Sequence, residues 1–168
     1  SVTAYLEYPG GATGTFVSST GEAPGSNRLE IVGTRGKLIL ENDQLQFTRN
    51  ETDMFEFSKT AKLGFAKPEV WQVRIPFENA PNPHALLTQN FVNAIQKGEP
   101  LVAPGREGLA SVELANAMLY SSLREETIAL PMDGAAYEAC LAQLIGNSTL
   151  KKRVVAVTNE DFTRSFKR

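Results

Sequence analysis

The chain has 168 residues, of which 42% are hydrophobic and 21% charged, and its formal net charge is -2. That length suits one domain with its own core and is short for two. The charge offers no basic surplus for nucleic acid, and no apolar run reaches the ~18 residues of a membrane span, so neither partner is expected. The single cysteine, Cys140, excludes an internal disulfide, and we expect a reducing, cytoplasmic location.

The first half of the sequence predicts strands separated by turns. Alternating apolar residues or β-branched residues mark strand candidates over 2–8, 13–20, 28–32, 37–41, 44–49, 54–58 and 70–77. The short glycine- or asparagine-containing links between them are typical of antiparallel hairpins. On the last strand, alternation places Trp71, Val73, Ile75 and Phe77 on one face.

The second half changes to a helical period. Leu87, Phe91 and Ile95 predict an amphipathic helix from His84 to Lys97 that ends at Gly98. A long helix is predicted over 106–126, and a third runs from its cap at Asp133 to about Ile145. Short strands are predicted over 127–131 and 154–157.

Strands followed by helices are typical of the α+β class. We therefore expect an open, mostly antiparallel sheet with about three helices packed on one face. This domain spans 1–150, with the sheet over 1–77 and the helical half over 84–149, and residues 151–168 form a C-terminal strand and basic tail. No element remains for the other sheet face, whose positions are not uniformly polar. We expect a homo-oligomer, a dimer or higher, through that open face.

Motifs for chemistry are missing from the sequence itself. It contains no G-x-G-x-x-G fingerprint, no Walker A motif and no Cys/His cluster with metal-ligand spacing, so no cofactor-binding or metal-binding residue is expected. The glycine-rich stretch 10–14 lies between two strands and predicts a hairpin rather than a phosphate cradle. Arg28, Arg35 and Arg74 could reach an anion, but nothing in the sequence converges on them.

Two residues remain as candidates for substrate binding. His84 is the only histidine, and it is either a site residue or a polar residue in the first turn of its helix. Trp71 is either a ligand-stacking residue or part of the core or an interface. Cys140, in the middle of a helix, is expected to act as a small hydrophobic residue.

Three stretches of the sequence stand in a characteristic order. They are the glycine-turn strand pair at 4–16, the strand, Gly33-Thr34-Arg35-Gly36 turn and strand at 28–40, and the helical residues 84–122 followed by Ile128-x-Leu130-Pro131. Together, over about residues 2 to 145, they resemble the C-terminal domain of the Gfo/Idh/MocA family, the glucose-fructose oxidoreductase and inositol dehydrogenase relatives.

The resemblance implies a larger parent protein. Its N-terminal Rossmann domain, expected to be absent here, would bind NAD or NADP, and its catalytic Asp and His lie on a helix before the sheet. No catalytic residue is therefore carried onto this chain, and His84 is not that histidine. Ala66-Lys67-Pro68 is similar to the family's Glu-Lys-Pro motif, but alanine replaces the glutamate and the segment lies in the wrong domain. The family's helices border the active site, the other sheet face commonly builds the subunit interface, and its substrates are typically sugars, cyclitols or their derivatives.

The leading hypothesis is the substrate-side and oligomerisation domain of an NAD(P)-dependent oxidoreductase that acts on a sugar, cyclitol or related polyol. This chain alone would be inactive. The alternative is a stand-alone, non-catalytic binding or scaffolding domain that has lost its Rossmann partner. A third hypothesis is a small independent enzyme that uses His84.

Overall fold

Strands precede helices in the described part of the chain, residues 1–76 and 82–151 of a computed structural model. The strands are β1 Val2–Glu7, β2 Thr13–Ser18, β3 Arg28–Gly33, β4 Gly36–Glu41, β5 Gln44–Asn50 and β6 Val70–Ile75. The helices are α1 Met54–Thr60, α2 Pro83–Lys97, α3 Gly108–Arg124 and α4 Gly134–Asn147, with a 3-10 turn at Gly105–Glu107. The predicted α+β class is confirmed.

The strands form two open antiparallel sheets rather than one. Strands β1 and β2 make a hairpin, and β3, β4, β5 and β6 pair in chain order as a four-stranded sheet. The contacts also group the chain into two compact units, one from Ser1 to Ala103 and one from Pro104 onward. The packing of helices on one sheet face and the domain boundaries stay predictions.

Two tight turns set the register of the four-stranded sheet. Gly33 pairs with Gly36 across the first turn, and Gly36 has a φ of 140°, a conformation that suits glycine. Asn42 and Asp43 link β4 to β5 with φ values of 50° and 57°. Two successive positive φ values are those of the type I′ hairpin turn, whose twist matches that of the strands.

The register gives the four-stranded sheet two different faces. Because paired residues share a face and neighbours along a strand alternate, the faces follow from the pairing. The apolar face comprises Leu29, Ile31, Gly33, Gly36, Leu38, Leu40, Leu45, Phe47, Arg49, Trp71, Val73 and Ile75. The polar face comprises Arg28, Glu30, Val32, Lys37, Ile39, Glu41, Gln44, Gln46, Thr48, Asn50, Val70, Gln72 and Arg74. The predicted common face of Trp71, Val73 and Ile75 is confirmed, and Phe77 lies outside the described residues.

The strand predicted over Met54–Ser58 is wrong, because these residues begin helix α1. Asp53 caps this helix by accepting a hydrogen bond from the backbone N–H of Phe55 at 3.0 Å. The backbone N–H of Met54 donates to the carbonyl of Thr34 at 2.8 Å, which attaches the helix to the β3–β4 turn. A side-chain cap and a tertiary hydrogen bond together override the alternating apolar pattern.

The strand predicted over Thr127–Pro131 is also wrong. Side chains of α3 hold this region instead: Ser121 Oγ donates to the carbonyl of Glu126 at 2.7 Å. Glu113 Oε1 accepts from the backbone N–H of Met132 at 2.7 Å. These bonds occupy backbone groups near both ends of the segment, where a strand would need a neighbouring strand.

The remaining helix predictions hold to within a few residues. Asn82 caps α2, Pro83 lies in its first turn, and Gly98 ends the helix with a φ of 70°. Asp133 caps α4 as predicted, through the backbone N–H groups of Ala135 and Ala136. The expected strand over 154–157 and the basic tail lie outside the described residues, except for Lys151.

The second unit contains the buried residues Ala117 and Tyr137, at 6% and 8% exposure. The ring of Tyr137 meets that of Tyr120 edge to face, with centroids 5.4 Å apart. Its hydroxyl donates to Asn116 Oδ1 at 3.3 Å. Helices α3 and α4 therefore contact each other through an aromatic pair and a side-chain hydrogen bond.

Candidate functional site

On the polar face, the β3–β4 half is an ion-paired ladder. Arg28 contacts the carboxylates of Glu30 and Glu41, the latter at 2.7 Å, and Lys37 lies 3.5 Å from Glu30. The hydrogen bond between Arg28 and Glu30 raises the pKa of Arg28 and lowers that of Glu30. Both signs of charge are thus paired within the ladder, so this half has no unmatched charge with which to attract a ligand.

Arg35 is also part of the structure of the fold. Its Nε lies 3.8 Å from Oδ2 of Asp53, the residue that caps α1. The Thr34 side chain is the main cause that lowers the pKa of Asp53, and the backbone N–H groups of Phe55 and Glu56 and the charge of Arg35 add to it. Two of the three arginines singled out in the sequence therefore have carboxylate partners.

The third arginine lies in the other half of the polar face, where amides replace carboxylates. Arg74 of β6 pairs in register with Gln46 of β5, and Gln72 pairs with Thr48. The Thr48 hydroxyl and Gln72 Oε1 lie 3.0 Å apart, with the hydroxyl as donor. This bond fixes the Gln72 amide and leaves its nitrogen as a donor to other groups.

A cleft of about 660 Å³ lies at this end of the β5–β6 pair. Its polar lining is Asp43, Gln44, Gln46, Gln72 and Arg74, and its apolar lining is Leu45, Val73, Ile75 and Pro76. The size falls within the range of small-molecule sites. We take this cleft as the candidate functional site.

The two sequence candidates lie elsewhere. Trp71 belongs to β6 but to the apolar face, where it pairs with Arg49 and is 57% exposed. His84 lies in the first turn of α2 and is exposed, and its carbonyl accepts a hydrogen bond from the Thr88 hydroxyl. Neither residue lines the cleft. Their roles in substrate binding stay predictions.

Apart from Arg74, the cleft residues escaped sequence reasoning because they come from two strands separated by α1. Only the pairing of β5 with β6 brings Gln46 to Arg74. The signal was present as alternation, since Gln44, Gln46 and Thr48 share one face of their strand and Gln72 and Arg74 share one face of theirs. Alternation alone does not show which strand pairs with which.

Both of the glycine turns considered in the sequence join antiparallel strands. The turn at Pro9–Gly11 closes the β1–β2 hairpin, with the backbone N–H of Gly11 donating to the Tyr8 carbonyl at 2.9 Å, and that at Thr34–Gly36 joins β3 to β4. Neither glycine turn opens a helix whose N-terminus would receive a pyrophosphate. Within 1–76 and 82–151 there is also no group of three acidic, His or Cys residues placed to hold a metal, and none of the helices there has the length and apolarity to cross a membrane.

Open antiparallel sheets followed by helices define the class as α+β. The model of the oxidoreductase family's C-terminal alpha/beta domain, GFO_IDH_MocA_C, matches residues 1–130. The chain belongs to the Gfo/Idh/MocA oxidoreductase family, as its C-terminal domain. The match ends before α4, whereas the resemblance was expected to reach about residue 145. No curated protein matches the chain significantly.

Proposed function

We propose that this chain is the substrate-side and oligomerisation domain of an NAD(P)-dependent oxidoreductase that acts on a sugar, cyclitol or related polyol. The observation that carries the proposal is the family match over residues 1–130, which is to the C-terminal alpha/beta domain of an oxidoreductase family. The amide-lined cleft supports it, because it offers several hydrogen-bonding groups to a small ligand. The chain alone is expected to be inactive.

The cofactor, NAD or NADP, is assigned to a Rossmann domain outside this sequence. The absence of a G-x-G-x-x-G motif and the antiparallel setting of both glycine turns support this division. Trp71 and His84 remain candidates for substrate contact, and a cytoplasmic location stays a prediction based on the single cysteine.

A fluorescence titration with NADH and NADPH tests the division of labour. We expect no saturable binding to this polypeptide below about 1 mM cofactor, since nothing in it cradles a pyrophosphate. Determining the coding sequence upstream of Ser1 completes the test. A glycine-rich βαβ unit in that frame supports the proposal, and tight binding of either nucleotide by the chain alone would refute it.

Self-association is the second half of the proposal. The support comes from the apolar face, where Leu29, Ile31 and Trp71 are 56%, 55% and 57% exposed. Contiguous apolar surfaces of this kind mark interaction sites. We assign the homo-oligomer, a dimer or higher, to an open face of the four-stranded sheet, and the missing Rossmann domain is the other expected partner.

A further inference from the structure

We propose that Gln72 and Arg74 are substrate-contacting residues, and that the β5–β6 cleft binds an uncharged, hydroxyl-rich small molecule. The inference rests on the proposed function and adds to it a location and a set of side chains. Of these side chains, only Arg74 was singled out in the sequence, as a group that could reach an anion.

The first step is the chemistry of the polar lining. Arg74 supplies only donors, the carboxylate of Asp43 supplies only acceptors, and Gln44, Gln46 and Gln72 supply both. A hydroxyl group is likewise a donor and an acceptor at once. A ligand with several hydroxyls is therefore matched by this lining better than an anion, because the opposite charges of Asp43 and Arg74 leave the lining without a net charge.

The second step is preorganisation. Gln72 and Arg74 lie on one strand, and the Thr48 hydroxyl fixes the Gln72 amide by donating to Gln72 Oε1 at 3.0 Å. Leu45, Val73 and Ile75 also border the cleft, but alternation places their side chains on the opposite, apolar face of the sheet. Groups placed on paired strands are more precisely positioned than groups on loops.

The third step is the contrast within the polar face. Arg28 is bound by two carboxylates, whereas Arg74 faces an amide across the strand pair. The two halves of one sheet face thus differ: the β3–β4 half satisfies its own charges, and the β5–β6 half presents hydrogen-bonding groups to the cleft.

The test is a titration of the chain with myo-inositol and glucose, followed by NMR of the glutamine side-chain amides and the arginine Nε–H groups. We expect saturable shifts at Gln46, Gln72 and Arg74, with an affinity on the order of 1 mM because the cleft is open. The Gln89 amide, which lies on α2, serves as an internal control. Glucuronate is the charged comparison.

The variants separate binding from folding. Arg74→Ala is expected to weaken binding about tenfold, and Arg74→Lys to weaken it less because it keeps the charge but loses the planar fork. Arg49→Ala, on the apolar face of the adjacent strand, is the matched control and should leave affinity unchanged. The NMR shifts of the wild-type chain test the inference even where a variant fails to fold.

Each result has one meaning. Shifts without saturation at about 100 mM ligand, or shifts at sites away from the cleft, overturn the inference and leave the proposed function to the cofactor test. Glucuronate binding tenfold tighter than glucose overturns the claim of an uncharged ligand. Cofactor binding by the chain together with saturable shifts at Gln72 and Arg74 would refute the proposed function while keeping the site.

Discussion

Gly36 leaves no room for a side chain in the β3–β4 hairpin. Its φ is 140°, and a Cβ added there would collide with the Thr48 carbonyl oxygen and lie 3.0 Å from Arg49 Cα. We expect Gly36→Ala to lower the free energy of unfolding by about 2 to 4 kcal/mol, through backbone strain and displacement of β5. Urea unfolding followed by circular dichroism measures it.

The control is in the same turn. A Cβ added at Gly33, the cross-strand partner of Gly36, has no atom within 4 Å. Gly33→Ala should change the unfolding free energy by less than about 1 kcal/mol. Equal losses in the two variants would show that the register described for this hairpin does not hold in solution.

Asp53 predicts an acid-dependent contribution to stability. Its pKa is lowered chiefly by the Thr34 side chain, and its side chain is 18% exposed. A carboxyl whose pKa is lower folded than unfolded stabilises the fold above its unfolded pKa of about 3.9, and this contribution is lost as pH falls through the folded pKa. Asp53→Asn should therefore be less stable than wild type near neutral pH, and the two should converge in acid.

Unfolding curves collected across the acidic range test that sign. Thr34→Val should reproduce part of the loss, because it removes the main cause of the lowered pKa. Thr60→Val, in the last turn of α1, is the control, and its free energy of unfolding should change with pH as that of the wild type does. A constant difference between Asp53→Asn and wild type at all pH values would assign the effect to capping alone.

At the scale of elements, Asn90 ties α2 to the connector that follows it. Its Nδ2 donates to the Pro100 carbonyl and its Oδ1 accepts from the Val102 backbone N–H, both at 3.0 Å. We expect Asn90→Ala to cost about 1 to 3 kcal/mol, since two hydrogen bonds are lost and two backbone groups lose their partners. Differential scanning calorimetry measures it.

The neighbouring position offers a matched control. Gln89 donates to the Asn93 side chain on the surface of the same helix. Gln89→Ala should change the stability by less than about 0.5 kcal/mol. Hydrogen exchange at Val102 adds a local readout, because protection there should fall in Asn90→Ala and persist in Gln89→Ala.

The elements also show how far sequence reasoning reaches. Features set by neighbouring residues were predicted: the hairpin at Asn42-Asp43, the cap at Asp133 and the end of α2 at Gly98. Features set by distant partners were not. Met54–Ser58 was given the wrong period because its hydrogen bond to Thr34 is tertiary, and the cleft needed the β5–β6 register.

At the scale of the whole molecule, the two sheet faces have different energetic needs. The polar face can remain in water because it consists largely of charged and amide side chains, and the charges of its β3–β4 half are paired. The apolar face cannot remain so without loss, because burial of one large aliphatic side chain contributes about 1.5 to 3 kcal/mol. This difference predicts that the apolar face, rather than the polar one, is covered in the native assembly.

Two adjacent residues of β3 test this directly. Ile31 lies on the apolar face and Val32 on the polar face, and they are 55% and 69% exposed in the described chain. If neither face were covered, glutamate at either position would have a small effect. If the apolar face is covered, Ile31→Glu buries an unpaired charge and should cost several kcal/mol or dissociate the oligomer.

Val32→Glu should be nearly neutral, because Val32 pairs across the strands with Lys37, which offers an opposite charge. Sedimentation equilibrium at micromolar concentrations and thermal unfolding of both variants separate the two causes of loss. A smaller assembly with an unchanged fold in Ile31→Glu assigns the apolar face to the subunit interface, whereas loss of folding assigns it to an intramolecular cover. Equal behaviour of Ile31→Glu and Val32→Glu in both measurements would show that neither face is buried, and with it the oligomerisation role would fail.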